Sequence, residues 1–241
     1  MGYNFTENSA GSWRIQFNCH YTSSLVISPY NLNEAHTFCI ELPLSPEFFE
    51  NNEYLLDSKL VKAVYGRREE YIAGRACAKV AMDALGVSGG VAFGDDRKPI
   101  WPSDIVGSIT HSKKFAVASI GLSDEFLSIG IDCEVVMTKA KFDSLSNHLA
   151  TSEDLKLFNG QDDDITATII FSAKEALFKL INPLCHKFFG FDHATLKVIG
   201  DNFFEIELHS ELAEVSKYNS IYRGYYKVHN NQVVTSLILK K

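Results

Sequence analysis

Hydrophobic and polar positions sort this chain into short apolar runs closed by turn residues and two longer stretches with helical spacing. Within residues 1–66, Leu25-Val26-Ile27 and Thr37-Phe38-Cys39-Ile40 predict strands. They are punctuated by Ser28-Pro29 and Leu42-Pro43-Leu44-Ser45-Pro46. From Arg67 the period changes. Ile72, Ala76, Val80 and Ala84 recur at every fourth position, and Gly86 after Leu85 supplies a stop. Residues 88–106 predict an ordered loop rich in Gly and Pro. Residues 115–121 and 126–131 are apolar runs around Leu122-Ser123-Asp124-Glu125, the pattern of a hairpin. Residues 138–164 predict short helices and polar connections. Residues 165–184 carry the stripe Ile169, Ile170, Leu177, Leu180 and Ile181, a second long helix that Pro183 ends. Residues 203–208 alternate apolar and acidic side chains, and 222–227 and 233–239 extend this strand into an antiparallel meander. Strands, a long helix and a hairpin thus occur once before about residue 124 and once after. The expectation is an α+β chain of two similar lobes with a site between them.

The second apolar run ends in Ile129-Gly130-Ile131-Asp132-Cys133-Glu134. In an extended chain residues i and i+2 point to one side, so Asp132 and Glu134 can face a common point. On the second long helix Glu175 and Lys179 share a face. Three carboxylates and a lysine that converge suggest a hard divalent cation with a phosphate. Cationic partners for that phosphate are present. Arg68, Arg75 and Lys79 share a face of the first long helix. Such a face is ordinarily solvated, but the small neighbours Gly74 and Ala76 make Arg75 the candidate for close ligand approach. Arg97 and Lys98 stand side by side before Pro99. Thr110-His111-Ser112 sets a histidine between two hydroxyls that can donate to one anion, although a lone histidine is more often structural. Asp162-Asp163-Asp164 is rejected as a metal site because consecutive acids point apart, and it suits the start of a helix.

Composition narrows the class. With 241 residues, 46% apolar and 22% charged, the chain has the make-up of an ordinary soluble globular protein. A net charge of −7 argues against wholesale binding to nucleic acid or anionic membrane, so any anionic ligand needs a local basic cluster. Five cysteines without a CxxC pair predict reduced thiols rather than a disulfide or zinc framework. The polar N-terminus and the lack of a long apolar run predict neither secretion nor a membrane span. The sequence has no GxxxxGK[ST] phosphate loop, GxGxxG turn, HExxH or GxSxG. A Cys133–His111 nucleophilic pair is disfavoured because the flanking carboxylates oppose the thiolate.

Five stretches carry a resemblance. They are Tyr71-Ile72-Ala73-Gly74-Arg75, Arg97-Lys98-Pro99-Ile100-Trp101-Pro102, Gly107-Ser108-Ile109-Thr110-His111-Ser112, Gly130-Ile131-Asp132-Cys133-Glu134 and Phe171-Ser172-Ala173-Lys174-Glu175-Ala176-Leu177-Phe178-Lys179. In order and spacing the chain resembles the 4'-phosphopantetheinyl transferases, and within them the EntD-like (enterobactin synthase component D) subgroup. The resemblance implies two similar α/β lobes related by pseudo-twofold symmetry with the active site between them. Residues 1–124 would bind the adenosine and phosphates of coenzyme A, and residues 125–241 would carry the Mg-binding carboxylates and the catalytic helix. The implied reaction moves the 4'-phosphopantetheine arm of coenzyme A to a serine of an apo acyl, peptidyl or aryl carrier protein. Asp132, Glu134 and Glu175 look like the Mg2+ ligands, and Lys179 resembles the lysine on the pyrophosphate. Thr110 and His111 look like the phosphate-binding pair, and Arg68, Arg75, Arg97, Lys98 and Pro99 like further coenzyme A contacts. Glu175, Lys179 and Asp132 form the implied catalytic set, with Glu175 as base, directly or through water. The EntD-like likeness favours nonribosomal peptide synthesis of a siderophore. Polyketide or polyunsaturated fatty acid synthase carriers, or a non-catalytic coenzyme A- or carrier-binding protein, are the alternatives. A cytoplasmic monomer is implied, free or attached to a synthase complex. Two positions depart from the pattern. Thr110 stands where serine is usual and keeps the hydroxyl; Cys133, between the carboxylates, is expected to point away from them in a regular strand.

Overall fold

The computed structural model describes residues 3–7, 13–17, 28–29, 34–94, 97–209 and 220–241. Strands β1 (Tyr3–Glu7) and β2 (Trp13–Phe17) pair with each other. The strand expected at 25–27 lies outside the described residues. The two-residue β3 (Ser28–Pro29) pairs with β4 (His36–Glu41), which contains the expected Thr37-Phe38-Cys39-Ile40. Helix α1 (Pro46–Asn51) is opened by Ser45, whose hydroxyl accepts from the Phe48 amide. Helix α2 (Tyr65–Ala84) starts two residues before Arg67 and stops at Gly86, whose φ of 70° is left-handed. A short pair, β5 (Ala92–Phe93) and β6 (Pro99–Ile100), precedes β7 (Ile105–His111) and β8 (Phe115–Leu122). The first main sheet has the order β3-β4-β8-β7. One of its faces buries Ile40, Ala116, Ala118 and Ile120 against Ile72, Ala73, Cys77 and Val80 of α2.

The second main sheet is built from β9 (Phe126–Val135), β10 (Ala194–Ile199), β11 (Phe203–Leu208), β12 (Ile221–His229) and β13 (Gln232–Lys240), in the order β10-β11-β12-β13-β9. The expected meander is present in β11, β12 and β13. Helix α3 (Lys139–Leu149) is capped by Thr138. Helix α4 (Asp163–Cys185) packs Leu177, Leu180 and Ile181 into one core with Phe204, Ile206, Val233 and Leu237. Asp163 and Asp164 stand in its first turn, accepting from the Gly160 and Lys139 amides, as befits a helix start. Each half of the chain thus lays one long helix on one sheet, and the whole is an α+β fold. No described helix is long and apolar enough to cross a membrane.

The hairpin expected of residues 115–121 and 126–131 does not form. Strand β8 pairs with β4 and β7, whereas β9 pairs with β13. The short turn is present, with the Glu125 amide on the Leu122 carbonyl. Phe126, however, folds across Gly121, where any side chain would collide with its ring. The chain therefore leaves one sheet and enters the other at this turn. Sequence-adjacent strands usually pair, but β9 pairs with β13 and lays alternate residues, Ser128 and Gly130 among them, beneath α4.

Candidate active site

Asp132 is placed by the way β9 passes under α4. Alternate residues of the strand face the helix. Ser128 donates to the Leu180 carbonyl at 2.6 Å. At Gly130 a Cβ would run into the Ala176 backbone, so glycine lets the helix come this near. Asp132 comes next in the series, and Lys179 Nζ lies 2.7 Å from its Oδ1. Glu134 follows, and Glu175 stands one turn before Lys179. The proximity of these groups is written in their protonation. Burial first, and then the charges of Asp132 and Glu175, push Glu134 up to about 7, with Lys179 opposing. Burial and then Asp132 likewise raise Glu175, again against Lys179. Cys133 packs on the other side among Val117, Ile131 and Val234, as expected. Burial is the main cause that pushes its thiol to about 12, so it is neither a nucleophile nor a thiolate ligand.

Strand β7 brings the N-terminal half to the same place. Ile109 faces α2, where its Cγ2 would lie 2.7 Å from a Cβ on Gly74. His111 faces the same way. Thr110, between them, turns to β9, and its hydroxyl donates to Asp132 Oδ1 at 3.1 Å. Lys179 Nζ also donates to Thr110 Oγ1, at 3.2 Å. Arg67 Nη1 is 2.8 Å from His111 Nε2, which must therefore accept, and Glu70 Oε2 is 3.6 Å from Nδ1. Burial holds His111 below its usual value, with Glu70 opposing and Arg67 reinforcing. The imidazole is thus neutral near pH 7. Arg67 and Glu70 escaped the sequence reading, because a charge pair at i, i+3 looks like any solvated helix face.

The remaining basic candidates occupy α2 and the β5–β6 turn. Arg75 is buried, with Nε donating to the Val91 carbonyl at 3.0 Å and Nη2 to the Ala92 carbonyl at 3.4 Å. Its guanidinium carbon lies 4.4 Å from the Tyr71 ring centroid. Arg75 thereby anchors the strand that leads into the turn carrying Arg97 and Lys98. That turn is closed by the Gly94 amide on the Lys98 carbonyl at 2.9 Å, and Pro99 begins β6. Arg68 lies over the rings of Phe49 and Tyr65. Thr110, His111, Asp132, Glu134, Glu175 and Lys179 are therefore drawn together, while Arg68, Arg75, Arg97, Lys98 and Pro99 are set by local contacts.

The donor set fits a hard divalent cation. Asp132 Oδ2 is buried without a hydrogen-bond partner, a costly arrangement that a cation would relieve. Mutual repulsion among Asp132, Glu134 and Glu175 is of the kind that a cation reverses. Among the described residues no three His, Cys, Asp or Glu side chains stand ready-made around one ion position. The Lys179 ammonium supplies the positive charge at Asp132 instead.

Two family models match the chain from the two sides of this site. The model of the 4'-phosphopantetheinyl transferase N-terminal domain matches residues 56–121, which include Arg75 and His111. The model of the 4'-phosphopantetheinyl transferase superfamily matches residues 128–235, which include Asp132 and Lys179. The chain is 34% identical over 145 residues to the 4'-phosphopantetheinyl transferase PptT of Mycobacterium tuberculosis, covering 56% of this chain and 60% of that protein. It is 32% identical over 182 residues to the 4'-phosphopantetheinyl transferase Npt of Nocardia iowensis, covering 69% and 76%. It is 30% identical over 145 residues to enterobactin synthase component D of Salmonella typhi, covering 59% of each. The match thus spans less than two-thirds of the mycobacterial and Salmonella proteins and more than two-thirds of the Nocardia protein. The chain belongs to the 4'-phosphopantetheinyl transferase superfamily.

Proposed function

We propose that this chain transfers the 4'-phosphopantetheine arm of coenzyme A to a serine of an apo carrier protein. The observation that carries the reading is the Asp132–Thr110–Lys179 cluster, with one buried Asp132 oxygen left open beside Glu134 and Glu175. It lies where two family-matched halves of the chain meet. Attack of a serine oxygen on the β-phosphate needs alignment and charge neutralisation more than a strong nucleophile. Residues 1–124 supply the coenzyme A side: Arg68, Arg97, Lys98 and Pro99 for the adenosine and its phosphates, with Arg75 holding the strand before that turn, and His111 with the Thr110 backbone for the inner phosphates. Residues 125–241 supply the carboxylates and Lys179. Asp132, Glu134 and Glu175 would hold Mg2+, whose charge would stabilise the bridging oxygen as 3',5'-ADP departs. Lys179 turns from Asp132 to the pyrophosphate. Glu175, raised by its surroundings, suits the uptake of the serine proton directly or through a water. Both sides of the site come from one chain, so a monomer suffices as the active unit, and its place would be the cytoplasm.

Relatives named enterobactin synthase component D support a carrier of nonribosomal siderophore synthesis as the natural partner. Incubation with coenzyme A, Mg2+ and apo carrier domains from peptide, polyketide and fatty acid systems tests the reaction. A mass gain of one phosphopantetheine is expected, fastest on the peptide carrier. No gain on any carrier leaves only a binding role, and a faster polyketide carrier removes the siderophore assignment.

A further inference from the structure

Three hydroxyls on one face of β7 and its exit reach across to the other half of the molecule. Ser108, Thr110 and Ser112 are all buried. Ser108 Oγ accepts from the Ile131 amide at 3.2 Å, and Ser112 donates to Gln232 Oε1 at 2.5 Å. Strands β7 and β9 are edges of their sheets, so side-chain hydroxyls stand here where backbone pairing would otherwise be. The middle hydroxyl differs from the other two, because its acceptor is a carboxylate of the candidate site. Thr110 Oγ1 donates to Asp132 Oδ1, and Lys179 Nζ touches both atoms. Two of the three Lys179 N–H donors are on Asp132 Oδ1 and Thr110 Oγ1, and a phosphate that draws the ammonium toward itself would loosen that hold on Asp132. Thr110 sits on a strand with a short β-branched side chain of restricted χ1, so it stays.

We propose that Thr110 is a positioning residue for Asp132: its hydroxyl pins Oδ1 while Lys179 changes partners, so that the unpartnered Oδ2 stays aimed at a divalent cation. This rests on the transferase reading of the site. It assigns the Thr110 hydroxyl to the carboxylate rather than to a phosphate of coenzyme A. The two assignments predict different splits. Thr110→Val keeps the shape and removes the hydroxyl. Positioning predicts that Mn2+ affinity measured with coenzyme A present falls about 10–100-fold, with a matching loss in kcat and the KM for coenzyme A nearly unchanged. A direct phosphate contact predicts that coenzyme A binding in metal-free buffer weakens about tenfold while Mn2+ affinity holds.

Free Mn2+ counted by electron paramagnetic resonance, beside calorimetric binding of coenzyme A, decides between them. Thr110→Ser should restore Mn2+ affinity. Ser112→Ala, which removes a neighbouring seam hydroxyl, should lower the melting temperature and leave Mn2+ affinity alone. Unchanged Mn2+ affinity in Thr110→Val overturns the proposal, as does an equal loss in Ser112→Ala or failure of Thr110→Ser to restore it. A wild-type chain that binds neither coenzyme A nor Mn2+ overturns the transferase reading itself, and the role of Thr110 with it.

Discussion

Helix α4 carries two lysine–aspartate pairs, one complete and one open. The side chains of Lys174 and Asp154 are 1% and 0% exposed. Asp154 Oδ1 accepts from the Leu196 amide at 2.7 Å, and Oδ2 from the Thr151 amide, the Thr151 hydroxyl and Lys174. Lys174 also donates to the Phe191 carbonyl at 3.0 Å. Lys179 and Asp132 are 26% and 5% exposed, and one carboxylate oxygen accepts nothing. A buried pair whose carboxylate has both oxygens engaged ties a helix to its surroundings and leaves that carboxylate no open oxygen for a ligand. A pair with solvent on the lysine side and one oxygen open has that capacity. Lys174 and Glu175 are adjacent, so the tie to Asp154 also fixes the phase in which Glu175 is presented.

The sharpest separation of the two pairs comes from Asp132→Ala. Carrier modification should fall about 10³-fold or more, while calorimetric binding of coenzyme A persists. Retained turnover would remove Asp132 from the reaction. Lys174→Met strands a buried aspartate and should cost about 3–5 kcal/mol in urea unfolding, most of it recovered when Asp154→Leu is added. A loss under about 1 kcal/mol would deny the pair its structural role. Lys179→Met reverses that profile: turnover drops about 10²-fold, and stability changes by no more than about 1 kcal/mol, since the pair is partly solvated.

The smallest expected effect is on pH. Glu134 keeps its proton up to about 7 in the folded chain, against 4.5 ordinarily. The folded state therefore binds more protons between those values, and ligand-free stability should fall as pH rises through that window, by about 1–2 kcal/mol once the roughly 3 kcal/mol that the full shift carries is discounted for a half-buried carboxyl. Urea midpoints across the window read this slope, and Glu134→Gln should flatten it. A rise in stability over the same range would contradict the crowding of carboxylates.

Periodicity made much of this legible in the sequence. The stripe of α4, the alternation of β11 and the i, i+2 spacing of Asp132 and Glu134 each follow from local geometry. The pairing of β9 did not. The partner of β9 is β13, about a hundred residues later, and a sequence pattern ranks neighbours first. Arg75 shows the same limit. Its small neighbour Gly74 suggested ligand access, yet that space admits Ile109 of β7. Arg67, Glu70, Asp154 and Gln232 acquire their roles only through tertiary partners, and nothing in their spacing distinguishes them from ordinary polar residues.

The most direct test of the open pair is the mass of one apo carrier domain after incubation with coenzyme A, in Mg2+ buffer and in metal-free buffer. If Asp132, Glu134 and Glu175 hold the cation that drives transfer, the carrier gains one phosphopantetheine in Mg2+ and keeps its apo mass without metal. A full mass gain in metal-free buffer would contradict that assignment.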